Sequence, residues 1–169
     1  KKLDGPVSVQ LLKDAKEKGC ITTWDLIGAT EQTINIVKPL LPHIDYFMPS
    51  IEEASIMSGL NDPKDVGKFY LDNGAKNCVF TMGGEGSFFI NKSEQIKTPA
   101  FDVKVVDTTG CGDAFDAGMI TAIVKGFDIE KALNFATITS GLVATGLGSD
   151  AGIVSFDDSL EKMNTLKRK

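Results

Sequence analysis

The chain has 169 residues, 42% hydrophobic and 24% charged, enough apolar material for one core and unlike a disordered or coiled-coil sequence. Eighteen basic residues against twenty-three acidic ones give a formal charge of −5. The only basic cluster is Lys167-Arg168-Lys169, which reads as a solvated helix end. Nucleic-acid binders take most of their affinity from neutralising phosphates, so this balance argues against one. No apolar run is long enough to cross a bilayer and no signal peptide opens the chain, so no membrane partner is expected. Cys20, Cys78 and Cys111 are odd in number and form no C-x-x-C pair, which argues against zinc or disulfides and fits a reducing cytoplasm. The single histidine, His43, has no cysteine or serine motif beside it and reads as a loop residue. The chain begins with Lys rather than Met, directly at a helix start, which suggests a cut or partial chain.

In chain order, Asp4 as cap and Pro6 in the first turn predict a helix to about residue 18. Gly19 ends it, and 20–24 reads as a strand. A helix over 31–41 is expected to stop at Pro42, with a strand over 44–48. Helices follow over 50–57 and 63–73, closed by Gly59 and Gly74. The apolar run 77–82 reads as a strand buried on both faces of a parallel sheet. Beyond a glycine turn at 83–86, further strands are expected over 87–90 and 95–100, and 103–106 is a short β-branched run leading into a loop. Helices over 113–125 and 129–145 and a short one over 159–166 complete the pattern. Such alternation predicts an α/β fold, a layered and mostly parallel sheet flanked by helices, in a single domain.

The strongest chemical signal is Val106-Asp107-Thr108-Thr109-Gly110-Cys111-Gly112-Asp113. Glycines two apart allow a tight turn and close backbone approach to a ligand. The helix that follows offers unsatisfied amides and a partial positive charge, both suited to phosphate. An Asp at the rim of such a site can accept a proton from an attacking hydroxyl. The competing reading is that Asp113 is simply an acid favoured in a first helical turn. The segment lacks the third glycine of G-x-G-x-x-G, and no G-x-x-x-x-G-K-[ST] occurs, so neither a dinucleotide fold nor a P-loop is supported.

The string Asp-Thr-Thr-Gly-Cys-Gly-Asp at 107–113 resembles the C-terminal signature of the ribokinase-like (PfkB) carbohydrate kinases. The resemblance implies a ribokinase-like fold and a kinase using ATP and Mg2+. It makes Asp113 the base that activates the acceptor hydroxyl and the amides of Gly110, Cys111 and Gly112 an anion hole. Thr81-Met82-Gly83-Gly84-Glu85-Gly86 is similar to the family's T-x-G-x-x-G turn, which places Thr81, Gly83 and Gly86 beside the ATP phosphates. Thr137 and Gly141 fall on the helix that passes the adenine, although family members often carry Asn at the position of Thr137. Asp107 and Ser149, the latter in the loop 146–149, correspond to a monovalent-cation site of the potassium type.

Glu53, in Ser50-Ile51-Glu52-Glu53, matches a glutamate of the magnesium network, with Ser50 replacing the usual Asn. Ser-x-x-Glu is equally a capping box, and both readings stand. The resemblance implies a chain holding the nucleotide-binding and catalytic part. The family's sugar-binding half, with its β-lid, is expected to precede Lys1. The full-length protein would take a sugar and ATP, as a monomer or a homodimer. The rival functions are a nucleoside or vitamin-precursor kinase of the same superfamily and a non-catalytic ligand-binding relative.

Overall fold

The structure, a computed structural model, describes residues 5–169. Its fold is α/β. Among the described residues the strands are hydrogen-bonded in sequence order: β1 (Thr23–Trp24), β2 (Tyr46–Phe47), β3 (Asn77–Thr81), β4 (Ser87–Asn91) and β5 (Gln95–Thr98). β1 pairs parallel with β2, Thr23 opposite Tyr46, and β2 parallel with β3, Phe47 opposite Cys78. The 82–86 connection is too short for a parallel crossover, so β4 runs antiparallel to β3. Backbone contacts divide the chain into two units. One comprises residues up to Phe80 with Phe88–Gln95, the other Thr81–Ser87 with Ile96–Lys169.

In the first unit, helix α1 spans Pro6–Glu17 with its proline in the first turn and Gly5 preceding it; the expected Asp4 cap lies outside the described residues. The helix expected over 31–41 does not form. A 3-10 turn at Glu31–Thr33 leads into a single α turn, α2 (Ile34–Val37), and a second 3-10 turn covers Leu41–His43. Pro39 explains the break: it has no N–H to donate, and its ring clashes with the carbonyl four residues back. The strands expected over 20–24 and 44–48 shrink to two residues each. His43 sits in the second 3-10 turn, in keeping with a loop role. Helices α3 (Ile51–Ser58) and α4 (Pro63–Asp72) are capped by Ser50 and Asp62. Their apolar faces join β2 and β3 in a core containing Leu40, Ile44, Phe47, Val66, Tyr70 and Phe80. Tyr70 is fully buried, yet its hydroxyl donates to the Ala54 carbonyl at 2.8 Å, so its polar end is satisfied.

Asp45, at the start of β2, accepts from the Lys16 ammonium at 2.6 Å, the Lys76 ammonium at 2.9 Å and the Thr22 amide at 2.9 Å. Burial would raise its pKa. The Lys16 ammonium, the Thr22 amide and Lys76 outweigh that and hold the carboxyl at about 2.

In the second unit, helices α5 (Cys111–Val124) and α6 (Ile129–Val143) pack closely, and α7 (Phe156–Thr165) lies against α6. The crossing of α5 and α6 is tight because Gly118 has no side chain: a Cβ there would lie 2.9 Å from the Ala136 Cα. Phe115 and Met119 of α5 and Leu133 and Ile138 of α6 are buried. Phe127, Phe135 and Phe156 form an aromatic cluster with ring centroids 5.0–6.1 Å apart, which fixes α7. The β-branched run 103–106 forms no strand; the Val106 amide instead donates at 2.8 Å to Ala144, at the end of α6. The basic cluster 167–169 is not a solvated helix end. α7 stops at Thr165, and 167–169 pairs with 100–102.

Because the folded Asp45 carboxyl titrates below its ordinary 3.8, its stabilisation is complete above about pH 4 and is lost as the pH falls toward 2. Asp45→Asn is expected to lower the urea midpoint at neutral pH and to flatten the loss of stability between about pH 4 and pH 2. An acid limb identical to that of the parent protein would contradict this role.

Candidate active site

The loop before α5 is shaped by two residues. Gly110 caps α5 at φ 78°, and a Cβ on it would lie 2.6 Å from the Ser149 carbonyl oxygen. Only glycine fits, on conformation and on space alike. Asp107 fixes the approach. Its Oδ1 accepts from the Thr109 amide at 3.0 Å and the Thr109 hydroxyl at 2.8 Å, and its Oδ2 accepts from the Gly148 amide at 3.0 Å. Those donors, the Thr109 amide foremost, hold the carboxyl below the usual carboxylate range. Asp107 and the 146–149 loop, both named as cation candidates, are thus brought together around Gly110. Asp113 sits in the first turn of α5 with an exposed carboxylate.

Seven of the sequence-derived candidates line one cavity of about 180 Å³: Thr81, Gly83 and Gly86 from the turn after β3, Cys111 and Gly112 from the start of α5, and Thr137 and Gly141 from α6. Asp113, Gly110, Asp107 and Ser149 are not on its wall. Gly86 is required by packing, since a Cβ would sit 1.9 Å from the Thr98 carbonyl oxygen. Gly112 is not: a Cβ there meets no protein atom within 4 Å, and its φ is not in the left-handed region. The Thr137 hydroxyl donates to the Leu133 carbonyl of its own helix at 2.7 Å and lies 3.3 Å from Ser87 Oγ, so its donor is already engaged within the protein. The Cys111 thiol is pushed up by burial.

Glu53 belongs to the first unit, where the capping box is realised. The Ser50 hydroxyl accepts from the Glu53 amide at 3.2 Å, and Glu53 Oε2 accepts from the Ser50 amide at 3.1 Å. Its Oε1 accepts from the Gly28 amide at 2.8 Å, so both oxygens are engaged. Among the described residues no group of three or more His, Cys, Asp or Glu is placed to hold a metal ion.

Among the cavity residues that the sequence analysis did not single out as candidates are Ser140, Phe101 and Lys169. Ser140 was findable, because it lies three residues from Thr137 on the same helical face. Phe101 and Lys169 reach the cavity only through the pairing of 100–102 with 167–169, for which the sequence carries no local signal.

Residues 4–155 match the pfkB family of carbohydrate kinases, and the chain belongs to that family. It is similar to an ATP-dependent 6-phosphofructokinase of Thermoanaerobacterium thermosaccharolyticum, with 31% identity over 78% of this chain and 41% of the relative. It is also similar to a ribokinase of Staphylococcus aureus, with 30% identity over 90% of this chain and 51% of the relative. Among solved structures, Thermotoga maritima ribokinase matches with a TM-score of 0.79 and 26% identity, over 92% of this chain and 52% of that one. Arabidopsis thaliana ribokinase complexed with ribose and ATP matches with a TM-score of 0.80 and 26% identity, over 93% and 52%. The chain spans about half the length of these relatives. No helix among the described residues is long and apolar enough to cross a membrane.

Asp107→Ala removes the acceptor for two loop amides. It is expected to speed hydrogen exchange at Thr109 and Gly148 while leaving α7 unchanged; unaltered exchange at both amides would contradict the clip.

Proposed function

We propose that the full-length protein transfers the terminal phosphoryl group of Mg·ATP to a hydroxymethyl group of a sugar or sugar-like alcohol, and that this chain carries the nucleotide-binding and catalytic part. The observation that carries this reading is the single cavity uniting the turn after β3, the start of α5 and one face of α6. Gly112 supports a bound nucleotide. Glycine costs a helix about 1 kcal/mol relative to alanine, and neither the conformation nor the packing at 112 requires it. A ligand that needs the Cβ volume and the bare amide accounts for its use.

In this account the amides of 110–112 and the N-terminal end of α5 stabilise charge on the phosphoryl oxygens as the transition state forms. Asp113 takes the proton of the acceptor hydroxyl as its oxygen attacks phosphorus and the bond to ADP breaks. The exposed carboxylate of Asp113, clear of the cavity wall, leaves room for that acceptor. Magnesium, when bound with the nucleotide, would supply positive charge that offsets the charge of the phosphates. The part of Glu53 in magnesium handling rests on family membership alone. Adenine contact by Thr137 and Gly141, a potassium ion near Asp107 and Ser149, a cytoplasmic location and a homodimer of the full-length protein belong to the same reading.

Asp113→Asn in the full-length protein is expected to lower kcat by about 10²–10⁴ or more with ATP affinity little changed. Near-normal turnover would remove Asp113 as the base. Gly112→Ala is expected to leave the fold as stable or up to about 1 kcal/mol more stable while weakening ATP binding. Unchanged ATP affinity in a folded Gly112→Ala protein would contradict the placement of phosphate there.

A further inference from the structure

Residues 100–102 and 167–169 lie side by side as a short antiparallel pair. Phe101 bridges Arg168, the Asp102 amide donates to the Lys167 carbonyl at 2.9 Å, and the Lys169 amide donates to the Ala100 carbonyl at 2.9 Å. Arg168 fixes the register. Its guanidinium stacks on Phe101, with Cζ 3.5 Å from the ring centroid, donates to the Pro99 carbonyl at 2.9 Å and hydrogen-bonds Asn134 Oδ1. Successive side chains of an extended segment point to opposite faces, so holding Arg168 on one side turns Lys169 to the other. There Lys169 lines the cavity, and its Nζ lies 3.6 Å from where a Cβ on Gly84 would be.

Among the described residues Lys169 has the only charged side chain on the cavity wall; the other lining residues are glycines, small hydroxyl or thiol residues, and apolar side chains. The acid of the adjacent turn, Glu85, is paired with Lys97 at 3.2 Å, and among the described residues no carboxylate pairs with Lys169. An ammonium beside an apolar cavity suits an anionic ligand, and the start of α5, on the same wall, favours the same sign. Residue 169 lies outside the 4–155 span of the family match, so family membership assigns it no role. We infer that Lys169 is a ligand for the polyphosphate of the bound nucleotide, delivered by the 167–169 segment, and that Arg168 is the residue that positions it. The inference rests on the proposed nucleotide reading of the cavity.

The test is calorimetric titration of the full-length protein and of Lys169→Met, Lys169→Arg and Arg168→Met with ATP, ADP and adenosine, at low and moderate salt. Lys169→Met is expected to weaken ATP binding about tenfold, ADP less and adenosine not at all, and to reduce the salt dependence of ATP affinity. Lys169→Arg should retain most of the affinity, and Arg168→Met should show the same phosphate-graded loss with Lys169 intact. Equal losses for all three ligands, or none for ATP, would overturn the role of Lys169 while leaving the nucleotide reading in place. Parent-like ATP affinity in Arg168→Met would overturn the positioning role of Arg168. Failure of the parent protein to bind any of the three ligands would overturn the nucleotide reading, and the inference with it.

Discussion

At Gly110 the chain passes Ser149 so closely that a Cβ would lie 2.6 Å from the serine carbonyl oxygen, and it does so at a φ of 78° that L side chains rarely adopt. That close approach lets α5 begin at Cys111 with no side chain capping its first amides. Uncapped amides and the aligned peptide dipoles are what make a helix end attractive to an anion. The same turn sets Cys111 and Gly112 on the cavity wall and Asp113 beside it. Asp107 holds the approach in place by taking amides from both strands of the junction, Thr109 on one side and Gly148 on the other. The helix end, the bare backbone at 112 and the proposed base all depend on that one contact.

The cavity is assembled from segments far apart in sequence, and its glycines serve different ends. Gly86 is demanded by the Thr98 carbonyl that closes on it, and Gly118 by the α5–α6 crossing. Gly112 answers to neither conformation nor packing, which is why its presence speaks for a ligand rather than for the fold. Thr137 keeps its hydroxyl on its own helix and Gly141 adds no side chain, so Ser140 is the polar side chain left on the α6 side of the cavity. Polar recognition then falls to that hydroxyl, to backbone amides and to whatever charge reaches the cavity mouth.

Much of this was legible in the sequence where the chemistry is contiguous. The 107–113 string carries its glycines, its acids and its helix start within a few residues, and the turn at 81–86 is marked by the spacing of Gly83 and Gly86. The capping pair Ser50 with Glu53 marked a helix start because its interactions are local. Legibility failed where a non-local partner decides. The 31–41 segment looks helical by apolar spacing, but Pro39 removes a donor and breaks it. The 103–106 run has β-branched residues, yet its amide finds the end of α6 instead of a strand. The cluster 167–169 looked like a solvated helix end because nothing near it in sequence reveals Phe101, which Arg168 meets across the paired segments. Glu53 satisfied two local patterns at once, and the geometry it adopts is the capping box.

The central claim is that this cavity holds the nucleotide, and amide chemical shifts test it most directly. Titrating the isotopically labelled chain with ATP, with and without magnesium, should move the amides of Gly83, Gly84, Cys111 and Gly112 in a saturable way. Those around Asp45 should stay still, and NAD should not reproduce the pattern. Saturable shifts that avoid the 81–86 turn and the start of α5, or a pattern that NAD matches, would contradict the account.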